Sequence, residues 1–431
     1  MKKTNPMHIQ THIQTHIQTH IQTHIQTHGR ASLPINKMTM KKINASHMPL
    51  YREAGFNLQN SKRTKEAFAA ELDHAHEPDD YIYSRYRNPT VVAVEKQIMA
   101  LEDCKWALLV ETGMAAIDVA VSVFQKGKDT RPWLFFHEIY GGTNSFIDTV
   151  LIKRRNLDVH RFYANDGLYD FVELERLLKE IQPEFLYFEA VSNPMLIVAD
   201  VQRIMELAKQ YQTKIIVDNT FGTPYLWKPL MDGADLVIHS ATKYLSGHGN
   251  ITAGVICGNN EELMKEAIEY RKWAGHFLSP DDAYRLGTQL KSFELRFDKH
   301  CKNAMELASY LENHPQIEAV LYPGLESHPT RKEALDLFGD KGFGGMLTFD
   351  IKGDSDEDKR EKCNRFIAAL EDTIPLVPTL GEVDTILLPV EPVWGAKYPL
   401  PGVIRLSVGI EKIDKLKNLI GGALNQLRIM I

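Results

Sequence analysis

A single lysine, Lys243, stands among hydroxyls just past an apolar run in L-V-I-H-S-A-T-K-Y, residues 236 to 244. A lysine at the end of a buried strand can lose its proton and attack an aldehyde as a free amine. Ser240 and Thr242 beside it carry hydroxyls able to donate hydrogen bonds to a phosphate. Upstream, Ile215-Ile216-Val217-Asp218-Asn219 is a second apolar run, and it meets a carboxylate at its end. An amine for an aldehyde, donors for a phosphate and an acid for a pyridine nitrogen are together what pyridoxal phosphate demands. Each element alone also suits an ordinary strand-to-loop junction.

The elements that must hold these groups alternate along the chain. After Pro89, V-V-A-V-E-K-Q-I-M-A-L-E spaces its apolar residues as an amphipathic helix does. Strands are expected at Trp106 to Val110, Trp133 to Phe136 and Phe185 to Glu189, with further strands ending at Asp218 and Ile238. Helices are expected at Ala115 to Phe124, Asn144 to Leu151 and Val201 to Gln210. That rhythm predicts an α/β fold whose mostly parallel sheet is covered by helices on both faces. In such a sheet a ligand lies beyond the carboxyl ends of the strands, where Asp218, Ser240 and Lys243 fall. Gly113 and Met114 lie between a strand and a helix, where free amides attract a phosphate and where a simple turn would read the same. From about Lys291 a long helix through Leu311 and the strands Gly345 to Ile351 and Val403 to Val408 predict a smaller C-terminal α+β domain. The polar stretch from Asn57 to Asp80 reads as an extended arm.

Composition removes whole classes of function. A net charge of −6 offers no basic field for nucleic acid. No apolar run approaches the roughly 18 residues of a membrane helix. Cys104, Cys257, Cys301 and Cys363 are scattered without metal-ligand spacing, which fits a reducing cytoplasm. Residues 8 to 28 repeat HIQT and close with His28. Histidine-rich runs bind metal, so a non-enzymatic metal-binding protein is the alternative class. A disordered low-complexity tail over residues 1–39, with no metal site, is the reading preferred here.

The ordered stretches Y-S-R-Y-R-N-P-T at Tyr83 to Thr90, E-T-G-M-A-A-I at Glu111 to Ile117 and Y-G-G-T at Tyr140 to Thr143 carry a resemblance. S-N-P at Ser192 to Pro194, V-D-N-T-F at Val217 to Phe221, S-A-T-K at Ser240 to Lys243 and I-R-L-S-V-G-I-E at Ile404 to Glu411 continue it. Taken together the chain resembles the Cys/Met-metabolism (transsulfuration) pyridoxal phosphate enzymes, the group of cystathionine γ-synthase, cystathionine γ-lyase and methionine γ-lyase. The resemblance implies fold-type I, with a large cofactor-binding domain over residues 91–290 and the smaller domain over 291–431. It implies that Lys243 holds the cofactor aldehyde, that Asp218 keeps the ring nitrogen protonated and that Tyr140 stacks on the ring and helps move protons. Gly113, Met114, Ser240 and Thr242 would bind the phosphate, and Asn193 would lie near the phenolic oxygen. Arg405 would pair with the substrate α-carboxylate, beside Thr379 and Asn193. An arm over residues 40–90 would cross to a neighbouring subunit, carrying Tyr83 and Arg85 to that subunit's phosphate in a homotetramer of active dimers.

The likeness thins near the substrate side chain. Arg87 stands where relatives often carry a small or apolar residue. Pro378 replaces the glutamate with which cystathionine-handling relatives can pair a distal amine, and Gly142 replaces the cysteine usual in methionine γ-lyases. After Pro389 the family runs H-P-A-x-x-T-H, whereas here Glu391, Trp394 and Lys397 reshape the segment. The expected activity is carbon–sulfur lyase chemistry by γ-elimination on methionine, homocysteine or cystathionine, with γ-replacement on an O-acylhomoserine as the alternative.

Overall fold

The computed structural model describes residues 47–72, 78–127, 130–165 and 168–427; the HIQT tract and the tail 1–39 lie outside them. Seven strands build the large sheet: β1 (Trp106–Val110), β2 (Trp133–Phe136), β3 (Val159–Phe162), β4 (Phe185–Glu189), β5 (Lys214–Asp218), β6 (Leu236–His239) and β7 (Gly254–Gly258). Their order is β1-β7-β6-β5-β4-β2-β3, and every pairing is parallel except the two made by β7. β2, β4, β6 and β7 are buried at every position, so their sequences read as continuous apolar runs rather than alternations.

Register places the chemistry. Glu189, the last residue of β4, lies opposite Asp218, the last of β5, and Asp218 lies opposite Ile238 of β6. The carboxyl ends of three neighbouring strands therefore deliver Glu189, Asp218 and the loop His239 to Lys243 to one edge of the sheet. The helix Gly113–Ser122, which follows β1, packs against β6 and β7 and brings its amino end to the same edge.

A second sheet, entirely antiparallel, runs β10 (Ile386–Pro389), β11 (Val403–Ser407), β9 (Met346–Ile351) and β8 (Ile317–Leu321). The 20-residue helix Phe293–Glu312 spans both cores: Phe293 and Phe297 pack with the large sheet, Leu307 and Leu311 with the small one.

Two local expectations need correction, and one departure from the family pattern finds its place. Ser61–Ala69, inside the stretch read as extended, is a helix started by Asn60, whose side chain accepts the Arg63 amide. The helix expected from Asn144 begins at Gly141 as α-helix and widens into a π-helical turn over Ile147–Ile152. Arg87 takes a defined place in the core, where its guanidinium forms a two-pronged ion pair with Glu95 at 2.6 and 3.2 Å. Both side chains are buried, and Glu95 also accepts the Leu109 amide of β1.

Breaking a buried pair by removing one partner leaves an uncompensated charge and costs about 3–5 kcal/mol. Arg87→Met should therefore lower stability by about that much in equilibrium denaturant unfolding. Adding Glu95→Gln should recover most of the loss, because the amide oxygen still accepts from Leu109. A single variant as stable as the parent would show that the pair contributes nothing.

Candidate active site

Nearly all of the residues singled out above meet in one cavity of about 260 Å³ at the carboxyl edge of the large sheet. Gly113, Met114, Tyr140, Asn193, Asp218, Ser240, Thr242, Lys243, Thr379 and Arg405 line it. Tyr83 and Arg85 do not line it.

At one end lies an anion cradle. Thr112 caps the helix Gly113–Ser122 by accepting the Ala115 amide, which leaves the first-turn amides of Gly113 and Met114 uncapped. A side chain on Gly113 would meet the Ser240 side chain at 2.9 Å, so only glycine lets the helix approach that hydroxyl. Thr242 is committed differently: its hydroxyl donates to the Ala253 carbonyl at 3.2 Å and accepts the Ala253 amide at 2.9 Å.

At the opposite end Asp218 accepts the amide and hydroxyl of Thr220 (3.0 and 2.6 Å) and the phenol of Tyr187 (3.2 Å). Burial pushes its carboxyl above the ordinary value, and the Thr220 hydrogen bonds pull back towards the charged form. Glu189, its neighbour in register, is pushed well up by burial and by the Asp218 charge. Two adjacent buried carboxylates cannot both ionise cheaply, and the three donors at Asp218 favour the charge there. Glu189 accepts the Tyr140 amide, which fixes the start of the Y-G-G-T turn. Thr220 and Glu189 were not singled out in the sequence, although V-D-N-T-F held the first and the end of an apolar run marked the second.

Lys243 bridges the two ends. Its Nζ donates to the Thr379 hydroxyl at 2.8 Å, and no carboxylate among the described residues lies within ion-pair distance. Burial lowers its pKa from 10.5 to about 8; the Arg405 charge adds to the fall and Glu382 opposes it. Arg405, on β11, donates to Asn193 Oδ1 at 3.1 Å and to the Thr379 carbonyl at 3.0 Å, while its buried Nε has no partner. Burial lowers the Arg405 pKa to about 10.

The departures near the substrate side chain also find places. A side chain on Gly142 would stand 2.3 Å from the Tyr140 ring, so a cysteine there would require the ring to move. Glu391 turns outward to Arg360 at 2.8 Å. Lys397 donates to the His137 carbonyl at 2.9 Å, and Tyr398 hydrogen-bonds Glu138.

The family described as Cys/Met metabolism PLP-dependent enzyme matches residues 32–425. An L-methionine gamma-lyase of Fusobacterium nucleatum subsp. polymorphum is 32% identical over 408 residues, covering 90% of this chain and 96% of that protein. A cystathionine beta-lyase of Lactococcus lactis subsp. cremoris is 35% identical over 356 residues, covering 79% and 87%. The chain belongs to the Cys/Met-metabolism pyridoxal phosphate enzymes. Among solved structures, cystathionine gamma synthase of Xanthomonas oryzae pv. oryzae in complex with cystathionine superposes with a TM-score of 0.78 at 26% identity, covering 89% of this chain and 94% of that one. The protein is therefore an enzyme of Cys/Met metabolism, a pyridoxal phosphate-dependent lyase or synthase acting on an amino acid. The residues present fit that cofactor: two open helix amides and a hydroxyl for a dianion, a buried carboxylate for a ring nitrogen, and an amine between them.

The depressed Lys243 pKa has a direct consequence. The neutral amine, the form that attacks an aldehyde, is half populated near pH 8 and dominates above it. The rate at which cofactor-free protein captures pyridoxal phosphate, followed by absorbance, should rise with pH through about 8 and level off above. A rise that continues towards the ordinary lysine range near 10.5 would show that the cavity does not desolvate Lys243.

Proposed function

We propose that this enzyme is a carbon–sulfur lyase that removes the γ-substituent of a sulfur amino acid such as methionine, homocysteine or cystathionine. The observation that carries α-proton removal from an amino acid is the Lys243 amine, its pKa lowered to about 8 by burial, sharing Thr379 with Arg405, whose buried Nε lacks a partner. The lyase names of its relatives carry the choice of elimination. Arg405 would receive the substrate α-carboxylate as a two-pronged pair through its unused N–H groups. That anchor would set the α-carbon beside Lys243 Nζ. Bound pyridoxal phosphate supplies an aldehyde for the substrate amine and a ring that takes up electron density from the α-carbon.

Lys243 Nζ then accepts the α-proton, with the Thr379 hydroxyl 2.8 Å away to hold the resulting ammonium. Asp218, whose charge is favoured by its hydrogen bonds from Thr220 and Tyr187, would hold a proton on the ring nitrogen of the bound cofactor. The Tyr140 phenol, at the cavity wall, would exchange protons with Cβ and the departing sulfur. Loss of a Cβ proton expels the γ-substituent as a thiol, and water then delivers an α-keto acid and ammonia. On an O-acylhomoserine the γ-substituent would leave as a carboxylate, and a thiol adding at Cγ before water can release the α-keto acid would give γ-replacement, the second reading, which the likeness to a cystathionine gamma synthase favours. Two relatives with lyase names at 32% and 35% identity favour elimination. Pro378, in the place of a carboxylate for a distal amine, argues against cystathionine within that class.

Tyr83 and Arg85 belong in this scheme to the cavity of a neighbouring subunit in a cytoplasmic homotetramer built from active dimers. In their own chain Arg85 donates to the Lys272 carbonyl at 2.7 Å and lies 5.5 Å from the ring of Tyr83, while Tyr83 and Trp273 are exposed. Four free cysteines accord with the cytoplasm.

Incubation with methionine, homocysteine, cystathionine and O-acetyl- or O-succinylhomoserine, with and without added thiol, should yield α-keto acid from the sulfur amino acids. Thioether from the acylated substrates, with no α-keto acid from methionine or homocysteine, would replace elimination by γ-replacement. For the shared site, inactive Arg85→Ala and Lys243→Ala chains should complement when mixed and reassembled. Activity should rise towards about a quarter of the parent for random dimers. Proven subunit exchange with no recovered activity would place Arg85 outside the partner's site.

A further inference from the structure

The segment after β10 spans from the small sheet to the large one. It begins as a short helix, Val390–Trp394, which packs on β10 and β11. Gly395 then reverses the chain at φ 53° and ψ −130°, a conformation open to glycine and strained for any other residue. Immediately beyond, Lys397 and Tyr398 fasten to His137 and Glu138, just before Tyr140. Trp394 is thus pinned from both sides, and the Arg405 guanidinium carbon lies 5.4 Å from the centre of its ring.

That contact answers a problem posed by Arg405. The side chain is 5% exposed, and no carboxylate among the described residues pairs with it. Its two hydrogen bonds go to neutral oxygens, those of Asn193 and Thr379. A buried guanidinium without a counter-charge is costly until a ligand carboxylate arrives. The negative face of an indole ring attracts a cation at this distance. Nε of the guanidinium meanwhile keeps its N–H without a partner.

We propose that Trp394 is a positioning residue for substrate binding: its ring holds the Arg405 guanidinium charged and oriented in the empty site, ready for the α-carboxylate. This rests on reading Arg405 as the carboxylate anchor. The effect acts through Arg405, so it should follow the carboxylate of the ligand and not its side chain.

The test compares Trp394→Phe, which keeps an aromatic face, with Trp394→Leu, which keeps apolar bulk alone. Calorimetric titration of the cofactor-loaded enzyme uses L-norleucine, which has no γ leaving group, and pentylamine, the same skeleton without the carboxylate. Trp394→Leu should weaken norleucine about five- to thirtyfold and leave pentylamine unchanged, while Trp394→Phe stays within about threefold of the parent for both. With a turned-over substrate, KM of the leucine variant should rise far more than kcat falls. Unchanged norleucine affinity in the leucine variant would overturn the proposal, and so would equal weakening of both ligands, which would make Trp394 a wall of the cavity. The titration needs no turnover, so an inactive substrate panel with this pattern intact would sink the lyase reading and spare this one.

Discussion

Thr379 joins two cations that would otherwise repel one another across the cavity. Its hydroxyl takes the Lys243 amine and its carbonyl takes the Arg405 guanidinium. Neither cation has a carboxylate within ion-pair distance among the described residues. At interior dielectrics two such charges a few ångströms apart are expensive, and the group with the lower intrinsic affinity for its proton gives way. Lysine yields, arginine does not. Burial first, and the repulsion from Arg405 second, therefore favour the neutral amine, while Arg405 keeps the charge a carboxylate needs.

The acidic end obeys the mirror image of that rule. Glu189 and Asp218 are brought side by side by parallel register, and burial disfavours charge on both. Hydrogen bonds break the tie: Thr220 and Tyr187 donate to Asp218, whereas Glu189 accepts the Tyr140 amide. Environments that drive paired titratable groups apart assign acid and base roles. One carboxyl can face a ring nitrogen as an anion, and the other can orient the Tyr140 turn without adding charge to the cavity.

The sequence carried four of the large sheet's five parallel strands, β2, β4, β5 and β6, and the motif residues at their ends, because buried strands are apolar runs closed by polar groups. β3, V-H-R-F, is half-buried at three of its four positions and shows no such run. β7 escaped notice: G-V-I-C-G is short, lacks alternation, and its antiparallel direction is set only by its place between β1 and β6. The helix Ser61–Ala69 escaped because it buries only Ala67 and so shows little of the apolar periodicity that announces a helix. Ten of the twelve expected site residues share the cavity, but their partners were illegible. Glu189 at the Tyr140 amide and Trp394 over Arg405 join residues on different elements, and spacing along one chain does not encode such distances. Thr220 on Asp218 is a local pairing two residues apart, hidden because a threonine after a strand end has many other uses. Arg87 is the reverse case, an apparent misfit that Glu95, on the following helix, explains.

The two sheets divide the work in a way that bears on why the motifs suit elimination and replacement alike. The large sheet contributes the cradle at Gly113 and Ser240, the acid Asp218 and the amine Lys243, all addressed to the cofactor and to the proton at the α-carbon. The small sheet and its loops contribute Arg405, Thr379 and Pro378 to the cavity, with Trp394 behind Arg405, and in the proposed scheme the first three would meet the rest of the substrate. In the proposed scheme the second set would tell one side chain or one incoming nucleophile from another, and most of this chain's departures from the family pattern, Pro378, Glu391, Trp394 and Lys397, lie there, with Gly142 beside Tyr140 an exception. Clasps such as Lys397 to His137 and Tyr398 to Glu138 tie those departures back to the Tyr140 turn. A change in that segment is thereby coupled mechanically to Tyr140 at the cavity wall, so if Tyr140 serves the departing group as proposed, the substrate a relative accepts and the fate of its γ-carbon should vary together.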